Sequence, residues 1–168
     1  MAKTLNEHID CWDFVKQILQ SPRFGLIESR FLPEEYRKVT RHRYFAVIER
    51  EGQKINGVVR LIPHFDASQF QDVTPALKPF QNKEKALCEV GVYLRDSSEL
   101  DLYSIFVLGY KLALAHAKAV GMDGLLVQVP INQANFFGRL GFKVVGSPYQ
   151  PNGWSVSRLP MLQVLSQS

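Results

Sequence analysis

The sequence predicts an α/β (α+β) sandwich, in which a mixed sheet is flanked by helices. Its composition is that of a globular chain with a sizeable core, since hydrophobic residues make up 46% and charged residues 21% of its 168 residues. Segments with alternating apolar residues are interleaved with segments whose apolar residues recur at helical spacing, and glycines or prolines separate them. We expect residues 1–168 to form a single domain.

The first part of the chain is predicted to contain two helices followed by two strands. Apolar residues recur at helical spacing over 8–20, and Pro33, followed by two acidic residues, is typical of the start of a second, short helix. Alternating apolar residues predict strands over 43–50 and 54–63. The three residues between these strands are typical of a hairpin turn.

The middle of the chain is predicted to contain a long loop, a strand and a long helix. Residues 64–85 show little periodicity, and long loops inside compact domains are often functional. Residues 86–95 predict a strand. Its two faces hold, respectively, Leu87, Glu89 and Gly91, and Cys88, Val90 and Val92. A helix is expected to begin after the capping residues Ser97 and Ser98 and to end at Gly121.

The last part of the chain is predicted to contain two more strands and a short helix before a final strand. The strands are expected over 125–129, 142–145 and 155–162, and the helix over 132–140. Asn132 is expected to cap this helix, whereas Asn135 fits either capping or ligand binding.

Composition also limits the classes of partner. No apolar run approaches the roughly 20 residues of a membrane span, so a cytoplasmic location without membrane contact is expected. The two cysteines, Cys11 and Cys88, have no zinc-site spacing, and no metal site is predicted. The net charge of +4 is mild, and no nucleic-acid partner is predicted. A local basic cluster over residues 37–43 is either solvated surface or a contact for an acidic partner.

Residues 132–142 read NQANFFGRLGF, and together with the order of elements they resemble the GNAT acyltransferase superfamily. A narrower likeness spans three segments, which read RYFAVIEREGQKINGVVRLIP from residue 43, LCEVGVYL from residue 87 and FFGRLGFKVVGSP from residue 136. These segments resemble the acyl-homoserine-lactone synthases and their relatives that make long-chain N-acyl amino acids. The resemblance implies a mixed, mostly antiparallel central sheet flanked by helices.

The resemblance further implies an N-acyltransferase that moves an acyl group from acyl-CoA or acyl-carrier protein to a primary amine of a small molecule. In that branch an Arg-Leu pair on one strand precedes Glu-x-x-Arg on the next. Arg60-Leu61 and Glu89 match, whereas Val92 stands where the second Arg is expected. An amine attacks a thioester only when neutral, so Glu89 is the expected general base. Its apolar neighbours would disfavour its charged form, and Arg60 would orient it or simply pair with it inside the sheet.

The donor thioester is expected to bind along the Glu89 strand and at the start of the following helix. Backbone amides beside Glu89 could donate hydrogen bonds to the thioester carbonyl, and the N-terminus of a helix favours binding of a phosphate. The residues expected to bind the pantetheine donor are Val90, Gly91, Val92, Arg95, Ser97, Ser98, Asn135 and Phe137.

Three departures from the family pattern shape these expectations. The acidic cluster implied before residue 44 is not found, which weakens lactone synthesis in particular. The loop over 95–100 has no glycine to hold a pyrophosphate, which suits acyl-carrier protein, with its single phosphate, better than coenzyme A. Phe137 stands where many GNAT enzymes have a Tyr that protonates the thiolate, with Tyr93 and Tyr149 as candidate substitutes. The alternative function is a non-catalytic GNAT-like module that binds acyl-CoA or acyl-carrier protein.

Overall fold

The structure is a computed structural model that describes residues 5–20, 43–48, 55–94, 102–151 and 154–165. Several sequence-based expectations lie outside these residues and keep the status of predictions. They are the short helix near Pro33, the hairpin turn over 51–53, the caps Ser97 and Ser98, and the basic cluster apart from Arg43.

The described residues form helices and strands in the predicted order. The helices are α1 (Leu5–Leu19), α2 (Lys78–Gln81), α3 (Leu102–Ala119) and α4 (Ala134–Arg139). The strands are β1 (Arg43–Ile48), β2 (Ile55–Pro63), β3 (Leu87–Leu94), β4 (Gly124–Pro130), β5 (Lys143–Val144) and β6 (Arg158–Val164). The predicted loop over 64–85 contains a 3-10 turn, Ala67–Gln69, as well as α2.

The strands form one sheet in the order β1-β2-β3-β4-β6-β5. Every neighbouring pair is antiparallel except β3 and β4, which run parallel. Parallel neighbours need a crossover connection, and the segment containing α3 provides it. The predicted fold class, a mixed and mostly antiparallel sheet flanked by helices, is confirmed.

The sheet opens along the line where β3 and β4 meet. Only the first three residues of β3, from Leu87 to Glu89, pair with β4 within the described part of the chain. Beyond Glu89, β3 continues to Leu94 against β2, while β4 continues from Leu126 to Pro130 against β6. The two halves of the sheet therefore part immediately after Glu89, and a gap opens between them.

Side chains pack against both faces of the sheet. On one face α3 contributes Tyr110, Ala113 and Ala117 to a core that includes Val90 and Val127. A Cβ atom added to Gly109 would lie 2.5 Å from Cγ2 of Val59, so this helix rests directly on β2. The other face is covered in two parts. Trp12 and Val15 of α1 pack on Tyr44 and Val58, and Leu77 and Phe80 pack on Leu126 and Leu162.

The predicted boundaries that differ from the observed ones include those of the short helix and of the last strand. The helix predicted over 132–140 begins as a 3-10 turn, Ile131–Gln133, and Gln133 is the N-cap of α4 without a side-chain hydrogen bond. Asn132 is therefore not the cap. The last strand begins at Arg158 rather than Ser155, because its partner β4 ends at Pro130, which pairs with Arg158.

Candidate active site

A cleft of about 610 Å³ runs through the gap between β3 and β4. Strands β2, β3, β4 and β6 line it, together with the segment that follows β2 and the segment that precedes β6. One residue from each of these four strands gives the floor its polar character. In order across the sheet they are Arg60, Glu89, Gln128 and Arg158.

The strand registers put these four side chains on one face of the sheet. Glu89 pairs with Leu126, and residues two apart on a strand share a face, so Gln128 lies on the same side. Gln128 donates a hydrogen bond from Nε2 to Oε1 of Glu89. Arg158 lies opposite Pro130, two residues beyond Gln128, and so belongs to the same face. The cleft floor therefore carries a row of polar groups on one face of the sheet.

Arg60 and Glu89 come together in the cleft as the sequence predicts. Arg60 lies opposite Gly91 on the neighbouring strand, diagonally from Glu89, and the two side chains are 8% and 9% exposed. The guanidinium carbon of Arg60 lies 5.8 Å from the ring centre of Trp12 in α1. Helix α1 thus covers the Arg60 end of the row.

Arg158, Tyr149 and Trp154 form the opposite wall of the cleft. The N–H of each of Tyr149 and Arg158 donates to the carbonyl of the other, over 2.9 and 2.7 Å. The guanidinium carbon of Arg158 lies 4.7 Å from the ring centre of Trp154. Burial and the charge of Glu89 raise the pKa of Tyr149 above its usual value, and the charge of Arg158 offsets part of this rise. The Tyr149 hydroxyl is therefore protonated at neutral pH.

The backbone of β3 also presents donors to the gap. Phe65, which follows β2, donates its N–H to the carbonyl of Leu87 over 2.8 Å, so Leu87 directs its backbone groups toward the β2 side. Alternate residues of a strand direct their backbone groups to the same edge. Glu89 and Gly91 therefore also bond toward β2, whereas Val90 and Val92 direct their N–H groups toward the gap.

The remaining predicted site residues divide into three sets. Val90, Gly91, Val92 and Phe137 all line the cleft. Phe137 is buried and makes edge-to-face contacts with Phe136 and Phe142. Asn135 is exposed on α4 and is not among the residues that line the cleft. Arg95, Ser97 and Ser98 lie outside the described residues.

Sequence reasoning did not single out Gln128 or Arg158. Gln128 is a polar residue in an otherwise apolar strand, which is the signal that identified Glu89, and Arg158 is one of two polar residues in β6. The sequence indicates Tyr149 only as a candidate proton donor. Recognising these residues as one site requires the pairing of β4 with β6, which joins distant parts of the chain.

Cys88 neighbours Glu89 but does not face the cleft. Its side chain belongs to the core under α3, and burial, with a smaller contribution from the charge of Glu89, raises the pKa of the thiol to about 12. Within the described ranges, no group of three or more His, Cys, Asp or Glu side chains is arranged to hold a metal ion. None of the helices described combines the length and apolar character needed to cross a bilayer.

The sequence matches no protein-family model and no curated protein. Solved structures do resemble it. The N-acyl amino acid synthase FeeM from uncultured soil microbes is 14% identical, with a TM-score of 0.73 over 96% of this chain and 92% of that one. A GNAT-family acetyltransferase from Staphylococcus aureus Mu50 is 13% identical, with a TM-score of 0.65 over 99% and 98% of the two chains. A ribosomal-protein-alanine N-acetyltransferase from Brucella melitensis is 16% identical, with a TM-score of 0.61 over 98% of each chain. With its opened, mostly antiparallel sheet, this chain has the GNAT fold.

Proposed function

We propose that this protein is an N-acyltransferase that moves an acyl group from a pantetheine thioester to a primary amine of a small molecule. The observation that carries the proposal is the position of Glu89, which lies in the cleft at the point where β3 and β4 part. Structural neighbours named as N-acetyltransferases and an N-acyl amino acid synthase support acyl transfer in general.

Glu89 acts as the general base, directly or through one water. The amine nitrogen forms a bond to the thioester carbonyl carbon, the carbon–sulfur bond breaks, and Glu89 takes the proton that the amine must lose. Gln128 holds the carboxylate in the cleft by its hydrogen bond. Arg60, diagonal to Glu89 on β2, orients the carboxylate from the other side.

The N–H groups of Val90 and Val92 stabilise the negative charge that develops on the carbonyl oxygen. Donors fixed in a rigid strand need no reorganisation when this charge appears, which is what makes such groups effective. Gly91, between them, bonds toward β2 and lets β3 keep its pairing there. The thioester therefore lies along β3 with its carbonyl in the gap.

Tyr149 gives its proton to the departing thiolate. Phe137 lines the cleft but has no hydroxyl, whereas the Tyr149 hydroxyl lies in the same cleft and is protonated at neutral pH. Proton transfer to the leaving sulfur completes the reaction and gives a free pantetheine thiol.

The donor is acyl-CoA or acyl-carrier protein, and the sequence favours the carrier. Residues 95–100 include no glycine, and the positive charges within 37–43 would attract an acidic partner. The test compares kcat/KM for acyl-CoA and for acyl-carrier protein that carry the same acyl chain, at low and at high salt. A carrier preference that shrinks with salt supports this choice. Faster reaction of acyl-CoA at every salt concentration, with no effect of charge reversal at Arg37 and Arg41, contradicts it.

A thiol-release assay tests the proposed function itself. Purified protein is mixed with acyl donors of increasing chain length and a broad panel of primary amines, and both free thiol and N-acylated product are measured. Product formation that depends on both substrates supports the proposal. Donor binding, seen as thermal stabilisation, without turnover of any amine instead favours the non-catalytic binding module.

A further inference from the structure

His64 has a left-handed backbone conformation at the edge of the cleft. It follows Pro63, the last residue of β2, lines the cleft and has a φ of 54°. Residues other than glycine seldom adopt this conformation, because their Cβ atom then crowds the backbone, and they pay for it in free energy. Asp72 and Lys83 share this conformation, with φ of 49° and 61°, but both are exposed outside the cleft lining. Among the described residues, His64 alone combines this strain with a place in the cleft.

Contacts on the C-terminal side of His64 fix the turn that it makes. Phe65 donates its N–H to the carbonyl of Leu87 over 2.8 Å. Farther along, Nε2 of Gln81 donates to the carbonyl of Phe70 over 2.9 Å, and Phe70 is buried. The chain changes direction between β2 and this anchored segment. Glycine would make such a turn without a Cβ atom, yet the sequence places an imidazole there.

The strand register places the end of β2 beside Glu89. Ile62 lies directly opposite Glu89, and Arg60 lies opposite Gly91. Arg60 and His64 therefore flank the position opposite Glu89, and both line the cleft. Arg60 and Glu89 are buried, whereas His64 is exposed. The imidazole of His64 is thus in the same cleft as the proposed base and also in contact with bulk water.

The floor and the edge of the cleft differ in charge. Within the described residues, the buried charged side chains that line the cleft are Arg60, Glu89 and Arg158. An ammonium ion at the floor would meet more positive than negative charge, so a neutral amine enters more easily. At the edge, Asp66 is exposed two residues from His64, and hydrogen bonds from Ser68 lower the pKa of its carboxyl. Asp66 is therefore anionic at neutral pH and attracts an ammonium ion to the edge.

The reaction needs a second proton acceptor besides Glu89. An alkylamine is an ammonium ion with three N–H bonds at neutral pH, and the nitrogen of the amide product keeps one of them. Two protons must therefore leave the nitrogen. Glu89 takes one during the attack, and the other must leave beforehand, since only the neutral amine attacks. In the overall balance one proton goes to the thiol that leaves and one to water.

We propose that His64 takes the first proton from the ammonium group of the acceptor at the edge of the cleft. An N–H bond of the ammonium breaks, a ring nitrogen of the imidazole accepts the proton, and the imidazolium then gives it to bulk water. Imidazole suits this step because it gains and loses a proton near neutral pH. This inference rests on the proposed function, because it supplies the neutral amine that attacks the thioester.

The first test pairs alkylamines with less basic analogues. Each alkylamine that is turned over in the thiol-release assay is compared with its analogue fluorinated at the second carbon, such as trifluoroethylamine for ethylamine. The fluorinated amine is mostly neutral at neutral pH and has no first proton to lose. His64→Asn removes the imidazole and tolerates the left-handed backbone. We expect kcat/KM to fall about 100-fold for the alkylamine, the lower end for a positioned proton acceptor, and to stay nearly unchanged for its analogue.

The second test restores the imidazole from solution. His64→Gly suits the positive φ and leaves space, so added imidazole should recover part of the alkylamine rate. Asp72→Asn is the matched control, because Asp72 has the same backbone conformation outside the cleft lining. It should keep both rates and should not respond to imidazole. If His64→Asn fails to fold, as judged by circular dichroism, His64→Gly with both amines decides.

The outcomes separate failure of this inference from failure of the proposed function. Selective slowing of the alkylamine, with recovery in imidazole, supports the role of His64. Equal slowing of both amines, or no slowing of either, overturns that role, while the turnover itself upholds acyl transfer. Absence of turnover of any amine by the unaltered protein contradicts acyl transfer and this inference with it.

Discussion

Gln128 donates a hydrogen bond to Glu89 across the line where β3 and β4 run parallel. The pairing of β3 with β4 ends at Glu89, so this contact lies where the gap opens. The amide fixes one oxygen of the carboxylate, and Glu89 lies in the lining of the cleft. This contact explains how a strand at the edge of an opening can present a carboxylate in one orientation.

Glu89→Gln should lower amine acylation by about 100-fold, the usual scale for a positioned general base. The substitution is nearly isosteric, so the folded structure should survive. Glu84→Gln provides the matched control, because Glu84 is exposed in the segment before β3 and outside the cleft. Steady-state rates of N-acylated product under conditions where chemistry limits turnover measure the effect. Unchanged turnover in the variant would remove Glu89 from the reaction.

Gln128→Leu should lower kcat by about 10-fold with little change in the KM for the donor, because the carboxylate of Glu89 loses the group that orients it. The decisive measurement is a double-mutant cycle with Glu89→Gln. If Gln128 acts through Glu89, its substitution has almost no further effect once Glu89 is Gln. Fully additive losses would show that Gln128 acts independently.

Tyr149→Phe should slow the reaction of an alkyl thioester by about 10- to 100-fold and leave an aryl thioester almost unaffected. An arylthiolate is a far better leaving group and needs no proton donor. The matched control is Tyr110→Phe, whose hydroxyl binds Gln163 away from the cleft. That control should show no dependence on the leaving group. Equal slowing of both thioesters by Tyr149→Phe would argue for a packing role.

Gly109→Ala should destabilise the protein by about 1–3 kcal/mol, because the new methyl group would overlap Val59 and push α3 away from β2. Gly138→Ala, with nothing within 4 Å of the added Cβ, should be neutral or stabilise α4 by up to about 1 kcal/mol. Urea unfolding of the two variants measures the difference. Equal stabilities of the two variants would contradict close packing of α3 against Val59 of β2.

The protein should lose stability as the pH rises from 9 toward 12. Burial raises the pKa of Cys88 from 9.0 to about 12 and that of Cys11 from 9.0 to about 11. Below pH 9 both thiols are protonated whether the chain is folded or not. Above it the unfolded chain loses protons that the folded chain keeps, so unfolding becomes easier. A Cys11→Ala, Cys88→Ala variant should show a smaller loss of unfolding free energy between pH 8 and pH 11. An identical slope would assign the loss to other groups.

The fold was predictable because its strands are marked by apolar residues on one or both of their faces. Residues 86–94 are apolar at almost every position, which predicts a strand buried on both faces and makes Glu89 stand out. The start of β6 was not predictable. The strand begins at Arg158 because this residue pairs with Pro130, the last residue of the partner strand β4. A strand boundary that depends on a distant partner leaves no local signal.

The candidate site was predictable only on one side of the gap. Arg60 and Glu89 lie on strands close together in the chain, and a resemblance pointed to both. Gln128 and Arg158 complete the row through pairing between β4 and β6, which a single sequence does not reveal. The roles assigned to Arg60, Glu89 and Gln128 remain predictions for kinetics to test.

The short pairing between β3 and β4 also makes the local stability of the sheet uneven. Among the residues that the structure describes, seven residue pairs join β2 to β3 and seven join β4 to β6, whereas three join β3 to β4. Such short pairing favours two cooperative units, one on each side of the gap, whose amide hydrogens exchange through separate opening events. A thioester that forms hydrogen bonds with both β3 and β4 at the gap would couple these units. Donor binding would then raise protection against exchange across the entire sheet, far beyond the few amides that it contacts.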